Sequence, residues 1–345
     1  MKANALNKLR CPRTKSKLDL KSIQREKDGE IWEGILVNEF GEEYIINNGI
    51  PDLVTSDDLT GDAAFARSYY KGIAGTYDRN VDITFKLYYE DEIEIRNYMI
   101  GLLEMKPNYK ILEVSAGTGK DSELILKKLN KDGELYCLDL SPDMLYYAKQ
   151  KLMCSSINAE AICASACNLP FEDDTFDALY CFAGVGHFPS IKQGLSEMSR
   201  VVKKGGKVVF CEKNVPEWLR DTTYGKILIN NNPMFAYEAP LKYIPVEARN
   251  VGIRWIIGNV HYVVDYEVGE GEPKGNFDLK LQGERGGSFN TRYYGKLEGI
   301  TNETKELALK ARKKLGISMH DWLDSIIKRE SEKILTREIR GNEVD

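Results

Sequence analysis

The chain has 345 residues, 42% of them hydrophobic and 29% charged, with a formal charge of −5 at pH 7. That is the balance of a globular protein longer than one average domain, and the acidic surplus gives no bulk attraction for nucleic acid, whose binding rests on phosphate neutralisation. No run of about 18 apolar residues offers a membrane span, and Met1–Arg10 lacks the apolar centre of a secretory signal. The seven cysteines form no Cys-x-x-Cys pair, and Cys137, Cys181 and Cys211 fall inside apolar runs, so a reduced, cytoplasmic protein is expected.

Residues 1–57 read as a small β-rich module. Strands are expected over Ile31–Val37 and Tyr44–Ile46, with turns at Asp28-Gly29 and Asn48-Gly49. Cys11-Pro12 near its start and Asn48-Gly49-Ile50-Pro51-Asp52-Leu53 at its end resemble the zinc-ribbon-like module that activates, or is fused to, tRNA and rRNA methyltransferases. Zinc-bound members carry four ligands at Cys-x-x-Cys spacing. Thr14 stands at the second of those positions here, so no metal is expected.

Residues 58–285 change to strand–helix alternation. A helix is expected over Glu90–Met105, with Ile95, Met99 and Leu102 on one face and Pro107 closing it. A buried strand, Lys110–Val114, runs into a glycine turn and a helix ending near Leu129. The strand Glu134–Leu138 then meets Asp139, and Ser141-Pro142 opens the next helix as N-cap and first helical proline, with Met144, Leu145, Ala148 and Leu152 along its apolar face. Strands come next at Ala161–Cys163, Phe176–Phe182 and Lys207–Cys211, and Ile253–Val268 and Phe277–Gln282 would add an antiparallel edge. The fold class is therefore α/β: a Rossmann-like, mostly parallel sheet with an antiparallel edge strand.

Residues 286–345 read as a strand, Ser288–Leu297, and two helices, Glu303–Leu315 and Ser318–Glu330, broken at Gly316. This order loosely resembles a ribbon-helix-helix DNA-binding unit. The plainer reading is a helical extension packed on the catalytic domain or on a second subunit, which makes a homodimer through it one of the expectations.

The chemistry concentrates at Glu113-Val114-Ser115-Ala116-Gly117-Thr118-Gly119. A hydrophobic strand delivers an acid to a turn whose glycines let backbone approach a ligand, and a helix start with unpaired N–H groups lies just beyond. Asp139, 26 residues after Glu113 (139 − 113), ends the next strand, where a carboxylate can accept both hydroxyls of an adenosine ribose. Nicotinamide enzymes place G-x-G-x-x-G at the same turn, but Ser122 occupies the third glycine position, which weakens a dehydrogenase reading.

Further on come Leu169-Pro170-Phe171-Glu172-Asp173-Asp174-Thr175-Phe176-Asp177 and Arg200-Val201-Val202-Lys203-Lys204-Gly205-Gly206. With the acid–glycine turn and Asp139-Leu140-Ser141, they make the chain resemble, over about residues 65–215, the class I methyltransferases of the ubiquinone/menaquinone type (methyltransferase type 11). The resemblance implies S-adenosyl-L-methionine as cofactor. It implies that Glu113 meets the methionine amino group, that Ser115, Gly117 and Gly119 line the turn, that Asp139 holds the ribose and that Leu140 and Met144 flank adenine. Ser165 and Ala166 fall where the family has Asp-Ala beside the adenine amino group, so a charge is missing there. Cys181 and Phe182 would border the methionine end. Tyr70 and Tyr77, in Tyr70-Lys71-Gly72-Ile73-Ala74-Gly75-Thr76-Tyr77-Asp78, resemble the family's segment that folds over the cofactor.

A base is needed only if the acceptor must lose a proton, and His187, just beyond the strand Phe176–Phe182, is the candidate. His261 reads as an exposed strand residue. Arg285, Arg292 and Tyr293, in a glycine-rich stretch, are candidates for clamping an anionic or aromatic acceptor. The expected function is methyl transfer to a small-molecule acceptor. The alternatives are an RNA methyltransferase, suggested by the first module, and a non-catalytic regulatory protein that keeps the cofactor fold.

Overall fold

In the computed structural model, which describes residues 1–294 and 301–341, the stretch up to Asp52 already makes four strands: Leu18–Lys27 (β1), Glu30–Asn38 (β2), Glu43–Asn47 (β3) and Ile50–Asp52 (β4). Asp28-Gly29 and Asn48-Gly49 turn with both residues at positive φ (53° and 76°, 52° and 72°), the hairpin geometry that Asn, Asp and Gly tolerate best. The sequence does not mark β1 as a strand, because its outer half is exposed and its side chains are mostly charged.

Seven further strands follow among the described residues: Lys110–Val114 (β5), Glu134–Asp139 (β6), Asn158–Cys163 (β7), Phe176–Phe182 (β8), Val202–Lys213 (β9), Ala248–Ile256 (β10) and His261–Val268 (β11). All eleven form one sheet in the order β1-β2-β3-β4-β7-β6-β5-β8-β9-β11-β10. Strands β5 to β9 run parallel, and β11 lies antiparallel between β9 and β10. The strand order reverses beside β5, so a crevice opens at the carboxyl ends of β5 and β8, where such sheets hold ligands. The seam with the amino-terminal strands is narrow. β4 meets β7 through Asp52 opposite Cys163, and the Leu53 N–H donates to the Cys163 carbonyl at 2.8 Å.

Residues along the central strands alternate between two apolar layers. Leu112, Val114, Leu138, Leu179 and Phe210 belong to one, Ile111, Cys137, Ala161, Tyr180 and Val209 to the other. A strand buried on both faces reads as an unbroken apolar run, which is why these five strands stand out in the sequence. The first layer also contains Leu9, Cys11, Leu36, Ile46 and Leu53. The amino-terminal strands thus share a core with the sheet they extend, and no gap in packing falls at residue 57. Around Cys11, the Sγ lies 3.2 Å from the Tyr44 hydroxyl and 3.4 Å from Asn38 Nδ2. Among the described residues no group of three or more His, Cys, Asp or Glu side chains comes close enough to hold a metal.

The chain divides into two compact units, Met1–Glu272 and Pro273–Asp345, so the break falls before residue 285. In the second unit two expectations are corrected. Phe277–Gln282 forms no strand, and Phe289–Tyr294 is a helix within the stretch expected as the strand Ser288–Leu297, whose last residues lie outside those described. Thr291 explains part of this, since its hydroxyl takes the Ser288 N–H at 2.8 Å and caps a helical turn. The two later helices run Asn302–Leu315 and Met319–Gly341, with Gly316 at φ 66° ending the first. Among the described residues no helix is long and apolar enough to cross a membrane.

Candidate functional site

The turn after β5 is built on strain and close approach. Ser115 takes φ 57° and Gly117 φ 54°, and the Gly117 N–H donates to Asp139 Oδ2 at 2.8 Å while the Ser141 N–H donates to Oδ1 at 2.8 Å. Asp139 therefore ties the end of β6 to the glycine turn of β5, and burial raises its carboxyl above the ordinary value despite these donors. Ser141 caps the helix Pro142–Met153 by accepting the Met144 N–H at 3.3 Å. Across the crevice Ala183 follows β8 at φ 55°. Gly184 stands so close to Ser115 that a Cβ would overlap its side chain.

Two adjoining cavities lie at these strand ends. The first, about 90 Å³, is lined by Tyr70, Tyr77, Ser115, Gly117, Asp139, Leu140, Met144, Ser165, Ala166 and Phe182, together with Ala66, Arg67, Ala183, Gly184 and His187. Ten of the thirteen positions expected to bind cofactor thus meet around one space. The other three lie beneath it. Gly119 opens the helix Lys120–Leu126 and packs its backbone on Ala148. Cys181 is buried in the sheet, and Glu113 is 2% exposed.

Glu113 accepts the Ser122 hydroxyl at 2.5 Å and lies 3.6 Å from Cys137 Sγ. Burial, then the neighbouring Asp121 charge, pushes its carboxyl up to about 8. Ser122, at the third glycine position of the nicotinamide pattern, is thus a partner of the buried acid. Ser165 uses its hydroxyl to accept the Cys167 N–H at 3.2 Å.

The second cavity, about 570 Å³, shares Ala66, Tyr70, Tyr77, Phe182, Ala183 and His187 with the first and adds Tyr69, Phe85, Lys213, Met234, Tyr237 and His261. His187 stands where the two meet, its ring edge-on to Tyr70 at 6.2 Å. His261 corrects the expectation of an exposed residue: it is 2% exposed, because β11 is covered on both faces and alternation alone cannot tell them apart. Arg96, buried in the helix Glu92–Gly101, pairs with Asp121 and lays its guanidinium over Phe182 at 4.6 Å, holding the ring that both cavities share.

Above the first cavity, the helix Gly61–Ile73 and the short helix Tyr77–Asn80 carry Tyr70 and Tyr77. Asp78 pins this segment down, accepting from Thr118 and pairing with Lys151 at 2.8 Å. Burial raises both tyrosines, Tyr77 to about 12. Arg285, Arg292 and Tyr293 all belong to the second unit. There Arg292 donates to the Gly286 carbonyl at 2.8 Å and Tyr293 is 71% exposed.

Residues 111–206, which span the turn, Asp139 and β8, match the family model described as a methyltransferase domain. The match makes residues 111–206 similar to a methyltransferase domain. Among curated proteins it is similar to the demethylmenaquinone methyltransferases of Bacillus mycoides, 37% identical over 122 residues, and Bacillus cereus, 34% identical over 122 residues. Each match covers 35% of this chain and 52% of the relative, so the chain spans about half the length of the curated relatives it matches. Among solved structures, phosphoethanolamine N-methyltransferase 2 of Haemonchus contortus in complex with S-adenosyl-L-methionine covers 66% of this chain and 63% of its own, at 11% identity and a TM-score of 0.44. The methyltransferase domain thus contains the acid–glycine turn and Asp139, whereas Tyr70, Lys213 and His261 lie outside the matched residues.

Proposed function

We propose that the chain transfers the methyl group of S-adenosylmethionine to a small-molecule acceptor. The observation that carries this reading is the pair of adjoining cavities, one built around Asp139 and the glycine turn, the other walled by aromatic rings. The donor set fits the cofactor: Asp139 has a lone pair to spare on each oxygen for ribose hydroxyls, and Leu140 and Met144 offer apolar sides to adenine. The cofactor supplies an electrophilic methyl group on a sulfonium.

What the chain must do is orient the partners and exclude water, contributions worth roughly 7–11 kcal/mol at best. Phe182, held by Arg96, would separate the two compartments. His187, at their junction, is the candidate to take a proton from the acceptor, and Glu113, beneath the turn, would face the amino-acid end. The first cavity, at about 90 Å³, is smaller than the roughly 300–1,000 Å³ of ordinary ligand sites. Tyr70 and Tyr77 line both cavities, and the segment that carries them would fold over the nucleoside as a lid.

Incubation with methyl-labelled cofactor and cell extract separated into RNA, protein and small-molecule fractions tests the reading. Label is expected in the small-molecule fraction, and label confined to RNA would replace the proposal by the nucleic-acid alternative.

A further inference from the structure

The first cavity runs along the strand ends in a fixed order. Phe182 and His187 belong to the β8 end, Gly117 to β5 and Asp139 to β6, while Ser165 and Ala166 follow β7. With neighbouring strands about 4.8 Å apart, β8 and β7 stand roughly 14 Å from each other. A nucleoside whose ribose rests on Asp139 and whose sulfonium points towards the second cavity therefore lays its base at the β7 end.

Arg67 guards that end. Its partner Asp52 stands in register with Cys163, and the Cys163 thiol lies 3.5 Å from the Leu140 carbonyl, so Arg67, Leu140 and Ser165 gather over β6 and β7. Arg67 lines the first cavity and not the second. Asp52 takes one of its nitrogens, Nη2, at 2.9 Å. Among the described residues Nε and Nη1 have no hydrogen-bond partner. The ion pair offsets the charge but leaves donors in place, because a guanidinium carries five N–H groups.

Free acceptors are scarce beside it. Apart from Asp139, no Asp or Glu lines this cavity. The Ser165 hydroxyl accepts the Cys167 N–H at 3.2 Å, and that of Ser141 the Met144 N–H at 3.3 Å. The purine edge that suits a guanidinium fork is one made of acceptors: N7 in any purine, and N7 with O6 in a 6-oxo purine. The exocyclic amino group of adenine is a donor and meets no carboxylate at this end.

We infer that Arg67 selects the base of the cofactor by donating to purine N7, so that the site reads N7 and not the amino group. Arg67 is then a specificity residue carried on the lid segment and aimed by Asp52 at the end of β4. The inference rests on the cofactor reading given above.

The test is calorimetric titration of the full chain with three nucleosides that differ in the base alone: S-adenosylhomocysteine, its 7-deaza analogue, and S-inosylhomocysteine, which carries O6 in place of the amino group. The 7-deaza analogue is expected to bind about tenfold more weakly than S-adenosylhomocysteine, and S-inosylhomocysteine at least as tightly. This ranking is read in the wild-type chain and needs no variant to fold. Arg67→Met keeps the apolar stem and removes the donors, and in it the three affinities should converge to within about threefold. Asp52→Asn, which spares the guanidinium, should keep the wild-type order. A residue that merely ties the lid down would, on removal, weaken all three nucleosides by one factor. That uniform loss in Arg67→Met, equal binding of the 7-deaza analogue by the wild-type chain, or weaker binding of S-inosylhomocysteine would overturn the inference and leave the cofactor reading standing. Binding of none of the three would remove both.

Discussion

The Arg67 guanidinium meets the Asp52 carboxylate at 2.9 Å, and the two come from parts of the chain that the sequence separates. Asp52 ends β4, and Arg67 belongs to the helix that carries Tyr70 and lines the first cavity. The amino-terminal strands therefore hold one end of the segment proposed above as a lid.

Loss of that tie should loosen the lid without unfolding the protein. Both partners are partly exposed, so the pair is worth roughly 0.2–1 kcal/mol. Asp52→Asn is expected to weaken S-adenosylhomocysteine binding by about fivefold at most, with little change in thermal midpoint. Calorimetric titration beside thermal unfolding measures both. A large drop in midpoint would assign Asp52 to the core instead of to the lid.

The ribose assignment is sharper. Asp139→Ala removes a half-buried acceptor and also frees the N–H groups of Gly117 and Ser141. Nucleoside affinity should fall about 10- to 100-fold, the scale of one charged hydrogen-bond acceptor. Unchanged affinity in the titration would remove Asp139 from the site.

Glu113 should leave a mark on stability against pH. Its carboxyl stays neutral in the fold up to about 8, whereas the ordinary value is 4.5. Between those limits the unfolded chain binds fewer protons than the folded one, so stability is full below 4.5 and is lost as pH rises towards 8. Asp121, also raised by burial, acts in the same direction. Glu113→Gln should flatten part of this decline, as read from thermal midpoints across the interval, and identical slopes in both proteins would contradict the assignment.

A fourth expectation concerns the strained turn. Gly184→Ala drives a methyl group into Ser115 and should cost about 1–3 kcal/mol. Ser115→Gly relieves a left-handed residue at φ 57°, a strain of about 1–2 kcal/mol. The double variant should recover most of the loss, so a double-mutant cycle on denaturant midpoints should show strong coupling. Additive effects would mean that the two positions do not touch.

Much of the first cavity is legible in the sequence because its residues sit in short, ordered motifs: the turn from Ser115 to Gly117, Asp139 with Leu140, and Ser165 with Ala166 each occupy a strand end. Lys213 and His261 are not legible as a pair, since 48 positions separate them (261 − 213) and only the register of β9 against β11 brings them together. Arg67 escapes notice for a related reason, because nothing local marks the partner supplied by β4. The expected strand over Ser288–Leu297 fails where a local hydroxyl cap competes with strand pairing, and the expected strand at Phe277–Gln282 rests on apolar content without an alternating partner.

The narrow seam between β4 and β7 has a consequence for any attempt to trim the protein. Cutting away the chain up to Leu53 would unpair the end of β7 at Cys163 and uncover the apolar layer that Leu9, Leu36 and Ile46 now help to fill. Raw sheet margins recruit other chains. A fragment beginning at the lid is therefore expected to clump, and the front strands serve as a permanent selvedge, not a detachable accessory.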